Sequence, residues 1–292
     1  MSDPSLTYPE AIVIGLLQGV TELFPVSSLG HSVLLPALLG GRWARDLSLT
    51  ADGSPYLSFV VAVHVATAIA LVWFFRADWL RIARGLVSSI RRRSITTSDE
   101  RLAWLLIVAT IPVGLAGVAL EHAVRTALGR PVPAAIFLIL NGLMLFAVER
   151  VRPRVPAYVG SGAAADSDDR LARQSWAQAL LIGSAQILAL FPGISRSGAT
   201  MGGGLLRGLT HEDAARFAFL LATPVIAAAG VLKLPTLGGA DLGPVLAGSV
   251  VAGVAAYVSV RFLTRYFETR TLTPFAIYCV VAGSLCLSYF LL

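Results

Sequence analysis

Long apolar runs alternate along this chain with short stretches that carry arginine, and the length of the runs is the first clue to its fold. A helix needs about 20 mostly apolar residues to cross the hydrocarbon core of a bilayer. Six segments meet that requirement: Tyr56 to Phe75, Leu102 to Leu120, Val132 to Val148, Ala214 to Leu234, Leu242 to Leu263 and Thr273 to Leu292. These are the predicted full spans. Two further regions differ, because apolar stretches with late polar residues, Ala11 to Phe24 and Ala177 to Phe191, run into a Pro- and Ser-bearing phrase and then a short apolar tail, Ser32 to Leu39 and Ala199 to Leu206. The two phrases are near copies: Leu23-Phe24-Pro25-Val26-Ser27-Ser28-Leu29-Gly30-His31 and Leu190-Phe191-Pro192-Gly193-Ile194-Ser195-Arg196-Ser197-Gly198. Each region reads as two half-helices with a break between them.

Pro and Gly in such breaks free backbone groups that lipid cannot satisfy, so the broken stretch must be buried in protein or face a water-filled cavity. A re-entrant hairpin meets that demand. The order in both halves is then one hairpin followed by three spans. A hairpin returns the chain to its starting side and three spans carry it across, so the second half begins on the opposite face. The predicted fold class is therefore an all-α polytopic membrane protein of two inverted-topology repeats. The first repeat covers residues 1–150 with its hairpin at about 8–40, a cytoplasmic linker covers 151–175, and the second repeat covers 176–292 with its hairpin at about 177–206. Within the linker, Val155 to Ser175 is rich in Gly, Ala, Ser and Asp and is expected to be flexible.

Composition agrees, with 56% hydrophobic and 14% charged residues and a mean hydropathy of +0.75; no soluble domain is needed. Met1 to Tyr8 carry no basic n-region, so the first apolar stretch is expected to stay in the mature protein. The net charge of +6 comes from arginines in short loops beside apolar spans rather than from a nucleic-acid-binding face. Arg76 to Arg101 and Arg150 to Arg173 fall on one side by parity, as do Arg207, Arg261, Arg265 and Arg270, while the opposite side holds only Arg42, Arg45, Arg125 and Arg130. The positive-inside rule makes the arginine-rich face cytoplasmic and places both termini outside. The hairpins then enter from opposite leaflets, so their tips are expected to share a site near the midplane.

The candidate chemistry lies in the two phrases. Gln18 and Glu22 are four apart and share a helix face, with Ser27, Ser28 and His31 just past the break. The plainer reading of the serines is an N-cap for the short helix that follows, but an ionisable pair such as Glu22 and His31 at membrane depth points to a functional site. Ser195-Arg196-Ser197-Gly198-Ala199-Thr200 sets a five-donor guanidinium among hydroxyls at a helix start, which suits phosphate; the alternative is an arginine snorkelling from a helix end. Glu22 would repel that phosphate, and a divalent metal between carboxylate and phosphate resolves the conflict. His64 and Asn141 are lone polar residues in spans, which more often bond a neighbouring helix. Thr223 is expected to cover the carbonyl freed by Pro224.

At these two motifs, Gln18 to His31 and Pro192 to Thr200, the chain resembles the bacterial undecaprenyl-diphosphate phosphatases associated with bacitracin resistance, over essentially its whole length. The resemblance implies removal of the terminal phosphate from a C55 polyprenyl diphosphate. That step recycles the lipid carrier of cell-wall synthesis at the outer face of the bacterial plasma membrane. It implies that Glu22 is the essential acidic residue and metal ligand, His31 the catalytic histidine, and Ser28 with Ser27 the nucleophile and its support. Arg196, with Gln18, Ser195, Ser197, Gly198 and Thr200, would bind the diphosphate, with Mg²⁺ or Ca²⁺ as cofactor. Gln18 stands where many members carry Glu, which removes one metal carboxylate, and Leu29 stands where a small or hydroxyl residue is commoner. The expected partners are a polyprenyl diphosphate lipid and membrane lipids, with no nucleic acid; a homodimer is one open assembly. In the expected mechanism Ser28, assisted by His31 as general base, attacks phosphorus; direct attack by water is the competing route. A transporter or flippase that binds the same head group without hydrolysis is the rival from another class.

Overall fold

A computed structural model of the chain describes residues 6–47, 55–153, 164–233 and 242–292. The described residues are helical with no strand. The first half contains α1 (Tyr8–Thr21), α2 (Ser28–Leu39), α3 (Gly41–Asp46), α4 (Pro55–Phe74), α5 (Arg76–Arg92), α6 (Ser98–Leu128) and α7 (Pro131–Val151). The second contains α8 (Ala164–Ala172), α9 (Trp176–Ala185) running into a 3₁₀ turn (Gln186–Leu190), α10 (Arg196–Leu206), α11 (His211–Lys233), α12 (Leu242–Tyr266) and α13 (Thr273–Leu291). Six of these, α4, α6, α7, α11, α12 and α13, are long and apolar enough to cross a membrane, and they coincide with the six predicted spans. Their outward faces are apolar: Leu115, Val118, Val254 and Leu285 are 69, 77, 62 and 67% exposed, a surface suited to lipid rather than water.

Local sequence explains the helix starts. The Glu100 carboxylate accepts from the Thr97 amide while the Thr97 hydroxyl accepts from the Glu100 amide, a capping box that opens α6. Ser175 and Gln178 do the same for α9. Small residues then let helices approach across the two halves: a Cβ added at Gly15 of α1 would lie 2.3 Å from the Gly248 carbonyl oxygen of α12, and one at Gly183 of α9 would lie 2.0 Å from the Ala109 carbonyl oxygen of α6. Each broken helix thus packs on a long helix of the opposite half, and α7 packs on α13.

Three features depart from expectation. The arginine-rich stretch after α4 is the amphipathic helix α5, whose Ile82, Gly85 and Ser89 face inward. The linker is ordered from Ala164 onward as α8, with Ser167 and Asp168 buried; residues 154–163 lie outside the described residues. Asp168 accepts from Arg81 of α5 at 2.6 Å and from Arg216 of α11 at 2.8 Å, and Asp213 accepts from Arg170 at 2.7 Å, so α8 is tied down by ion pairs. Lastly, the Thr223 hydroxyl finds no hydrogen-bond partner among the described residues and does not cover the carbonyl freed by Pro224.

Candidate active site

The two breaks, Glu22 to Ser27 and Phe191 to Ser195, meet backbone to backbone. A Cβ on Gly30 would lie 2.9 Å from the Gly193 Cα. The Ser27 hydroxyl accepts from the Gly30 amide of its own helix and from the Gly193 amide of the other break, both at 3.2 Å. Ser27 holds a positive φ of 70° to do so, a strained backbone for a residue other than glycine and one that clusters at functional sites. Asn141 of α7 clamps both tips, donating to the Pro25 carbonyl and accepting from the Ser195 amide, each at 3.0 Å. Ser197 donates to the Phe24 carbonyl at 3.2 Å, and Ser195 caps α10 by accepting from Gly198 at 3.1 Å. The Phe24 and Pro25 carbonyls and the Gly193 and Ser195 amides are thereby used to hold the two breaks together.

Glu22 is the hub of the polar end. Its Oε1 accepts from Arg196 Nη2 at 2.8 Å, and its Oε2 accepts from the Ser28 hydroxyl at 2.5 Å and from Gln18 Nε2 at 3.1 Å. His64 Nε2, from α4, lies 3.3 Å from the same Oε2. The other ring nitrogen of His64 faces the Val60 carbonyl at 2.7 Å, which can only accept, so the Glu22 contact is attractive only with a proton between imidazole and carboxylate. Arg196 keeps Nη1 buried and without a partner among the described residues. A buried guanidinium nitrogen left unpaired is costly, and an anion delivered to this pocket would satisfy it.

Glu22, Ser27, Ser28, His64, Gln186, Ser195 and Arg196 line a cavity of about 300 Å³ whose remaining wall is mostly apolar, including Leu57, Val60, Val113, Leu190, Ile194, Val225 and Ile226, with Glu121 and Arg125 at its margin. The expected pairing of His31 with Ser28 is not formed. His31 Nδ1 contacts the Ser27 carbonyl and Nε2 the Tyr278 hydroxyl, both at 2.7 Å, and its ring stacks on Tyr278, so both nitrogens are engaged away from Ser28. Thr200 turns back to the Arg196 carbonyl at 2.8 Å, the helical i−4 bond, and Ser197 faces Phe24, so neither hydroxyl is aimed at the cavity as a phosphate cradle would be.

For a divalent cation, no group of three His, Cys, Asp or Glu side chains gathers among the described residues. The Glu22 carboxylate and the Gln18 Oε1, buried and without a partner, nevertheless offer two hard oxygen donors. A cation of the Mg²⁺ type takes one or two protein oxygens and fills its shell with phosphate and water, so the donor set fits. Of the residues that sequence reasoning underrated, His64 carried a signal, as an ionisable group inside a span. Gln186 carried another: measured back from the N-cap serines, Gly15 and Gln18 before Ser27 repeat as Gly183 and Gln186 before Ser195. Tyr278 had none, since a tyrosine in a terminal span is unremarkable.

The fold and the cavity define a multi-pass α-helical membrane protein with a buried acid, hydroxyl and guanidinium joined to an apolar chamber. The family model described as Bacitracin resistance protein BacA matches residues 11–285. The chain is 62% identical to the undecaprenyl-diphosphatase of Mycolicibacterium paratuberculosis over 95% of each chain. It is 50% identical to undecaprenyl-diphosphatase 1 of Frankia casuarinae over 98% of this chain and 99% of that one, and 44% identical to undecaprenyl-diphosphatase 2 of Burkholderia orbicola over 96% of each. The chain belongs to the bacitracin resistance protein BacA family.

Proposed function

We propose that this protein hydrolyses undecaprenyl diphosphate to undecaprenyl phosphate and inorganic phosphate, recycling the lipid carrier of peptidoglycan synthesis and so conferring bacitracin resistance. The names of its relatives support the substrate, and the chamber supports the class: an apolar wall for a polyprenyl tail leads to a polar end with phosphate-binding chemistry. The observation that carries the reading is the Ser28 hydroxyl 2.5 Å from Glu22 beside the unpartnered Arg196 Nη1.

In this reading the terminal phosphate is bound by Arg196 and the amides at the α10 N-terminus. Ser28 Oγ attacks the terminal phosphorus while its proton passes to Glu22, replacing His31 in the base role. The bond from phosphorus to the bridging oxygen breaks, Glu22 passes the proton to the departing undecaprenyl phosphate, and phosphate stays on Ser28. Water then attacks the phosphoserine and gives a proton to Glu22, which returns it to Ser28 Oγ as the serine–phosphorus bond breaks and inorganic phosphate is freed. His64 holds the proton that keeps its contact with Glu22 attractive. A divalent cation, Mg²⁺ or Ca²⁺, held by Glu22 with Gln18 would neutralise charge on the diphosphate.

The same reading takes the two broken helices as re-entrant hairpins of inverted repeats, residues 1–150 and 176–292. The reciprocal packing of α1 on α12 and α9 on α6 supports it, and the arginine distribution supports both termini lying on the outer side. Phosphate release from a polyprenyl diphosphate, measured with Mg²⁺, Ca²⁺ or chelator, tests the activity. Release that needs a cation and is lost in Ser28→Ala and Arg196→Ala is expected. No release by folded wild type under any metal overturns the enzyme in favour of a transporter, and unchanged turnover in Ser28→Ala replaces the phosphoserine with direct attack by water.

A further inference from the structure

We propose that the groove at the C-terminal end of α12 is a binding site for the head group of an anionic phospholipid. The groove, about 580 Å³, is lined by Tyr257, Val258, Arg261, Phe262, Arg265, Tyr266, Thr269 and Arg270. It lies at the end of the molecule where Glu149 of α7 meets His211 of α11 and the Leu272 amide that follows the groove, the same end as the amphipathic helix α5.

The charge in this groove is not balanced from within. Arg261 and Arg265 are one helical turn apart on one face of α12, Arg270 follows in the loop to α13, and all three are exposed. Like charges four residues apart on a helix repel. None of the three guanidinium groups has an ion-pair partner among the described residues, whereas Arg81, Arg170, Arg196 and Arg216 all do. The carboxylate of this loop, Glu268, acts on Glu212 of α11 and does not line the groove. The dipole of α12 and membrane topology account for the sign of the charge, but not for its assembly around aromatic rings.

The aromatic and aliphatic residues supply the rest of a lipid's needs. Phe262 is 51% exposed and Val258 61%. Val254 and Val250 continue the same outward face one and two turns toward the middle of the span, as a track for acyl chains. Tyr257 and Thr269 bring hydroxyls to the level of the arginines. A phosphodiester with a negative charge above two apolar tails matches this arrangement from arginines to valines; basic pockets on the cytoplasmic side of membrane proteins hold such head groups. The site also touches the catalytic hairpin, because Phe262 stacks on Phe24, with ring centroids 6.0 Å apart and planes 6° from parallel.

The test compares full-length wild type with Arg261→Gln/Arg265→Gln/Arg270→Gln after passage through nanodiscs of phosphatidylcholine mixed with phosphatidylglycerol, scoring retained lipid by native mass spectrometry. Wild type should retain phosphatidylglycerol about tenfold or more above the triple variant, because the variant loses the attraction of three arginines for an anionic head group. Phosphatidylcholine should not discriminate the two, and phosphate release in detergent should be unchanged. Arg265→Gln alone should fall between them, which keeps the test intact if the triple variant folds poorly. Equal loss in Arg84→Gln/Arg91→Gln/Arg93→Gln, which removes three exposed charges from α5 and its C-cap, would reduce the effect to bulk charge and overturn the site. Full displacement of the lipid by inorganic phosphate would make free phosphate the ligand instead. Self-association of wild type but not of the triple variant in lipid-free detergent would assign the groove to a second copy of the chain.

Discussion

Glu22 is the residue on which the polar contacts of the chamber converge, with a nucleophile candidate, a guanidinium, an imidazole and an amide all pointed at two oxygens. Glu22→Gln keeps the shape and removes the proton acceptor, so phosphate release should fall by about 10²- to 10⁴-fold while the protein still unfolds cooperatively. His31 belongs to a different class. Its nitrogens brace the Ser27 carbonyl and Tyr278, so His31→Ala and Tyr278→Phe should each lower stability by about 1 kcal/mol. Both should reduce turnover by less than the ~100-fold that loss of a general base brings. Thermal unfolding and phosphate release on the two variants check this; abolished turnover in His31→Ala with a normal Tyr278→Phe would return the base role to His31.

At the level of elements, the hairpins are positioned by contacts that leave no room for a side chain. Gly183→Val would drive α9 away from α6, because even a Cβ meets the Ala109 carbonyl at 2.0 Å. Stability should fall by at least about 1–3 kcal/mol, and turnover should fall with it as the Ser195 end of the hairpin shifts. Gly114, on α6, has nothing within 4 Å of an added Cβ. Gly114→Ala should therefore be neutral or stabilising by about 0.5–1 kcal/mol. Thermal melts of the pair separate close packing from helix propensity. The 3₁₀ turn before Phe191 and the positive φ of Ser27 belong to this scale as well, since both re-aim a half-helix so that the two breaks can touch.

Across the whole molecule, the arginine-rich end is a structural layer as well as a topology signal. Asp168 on α8 holds Arg81 and Arg216 together, so Asp168→Ala leaves two guanidinium groups short of a partner. Because Arg81 keeps Asp78 and Asp99 and Arg216 keeps Asp78, the loss should be that of hydrogen bonds to charged groups, about 1.5–3 kcal/mol, visible as an earlier thermal transition with turnover retained in the cold. Sidedness has its own test. If the termini lie outside, as proposed, then in intact cells Ala127→Cys, past the chamber on α6, should react with an impermeant thiol reagent, and Ser94→Cys, between α5 and α6, should not; the opposite result would overturn that proposal.

The spans, the two breaks and the residues placed in them were legible without coordinates. Each rests on local physics: about 20 apolar residues cross a bilayer whatever lies beside them, and a Pro among polar residues and Gly removes a helix hydrogen bond that nothing local restores. The helical identity of α5 was obscured because its arginines read equally well as loop charges. Partner choice is another matter. That Glu22 meets Arg196 and His64, that His31 meets Tyr278, and that Asn141 bridges Pro25 to Ser195 all depend on which helices lie side by side. Such neighbours are selected by Gly-to-backbone contact and shape across the two halves, terms that involve pairs of distant segments. The sequence by itself determined what chemistry was available and at what depth in the chain it stood; only the tertiary structure decided which imidazole serves the carboxylate, because hydrogen-bond geometry is a property of packed helices and not of spacing along one of them.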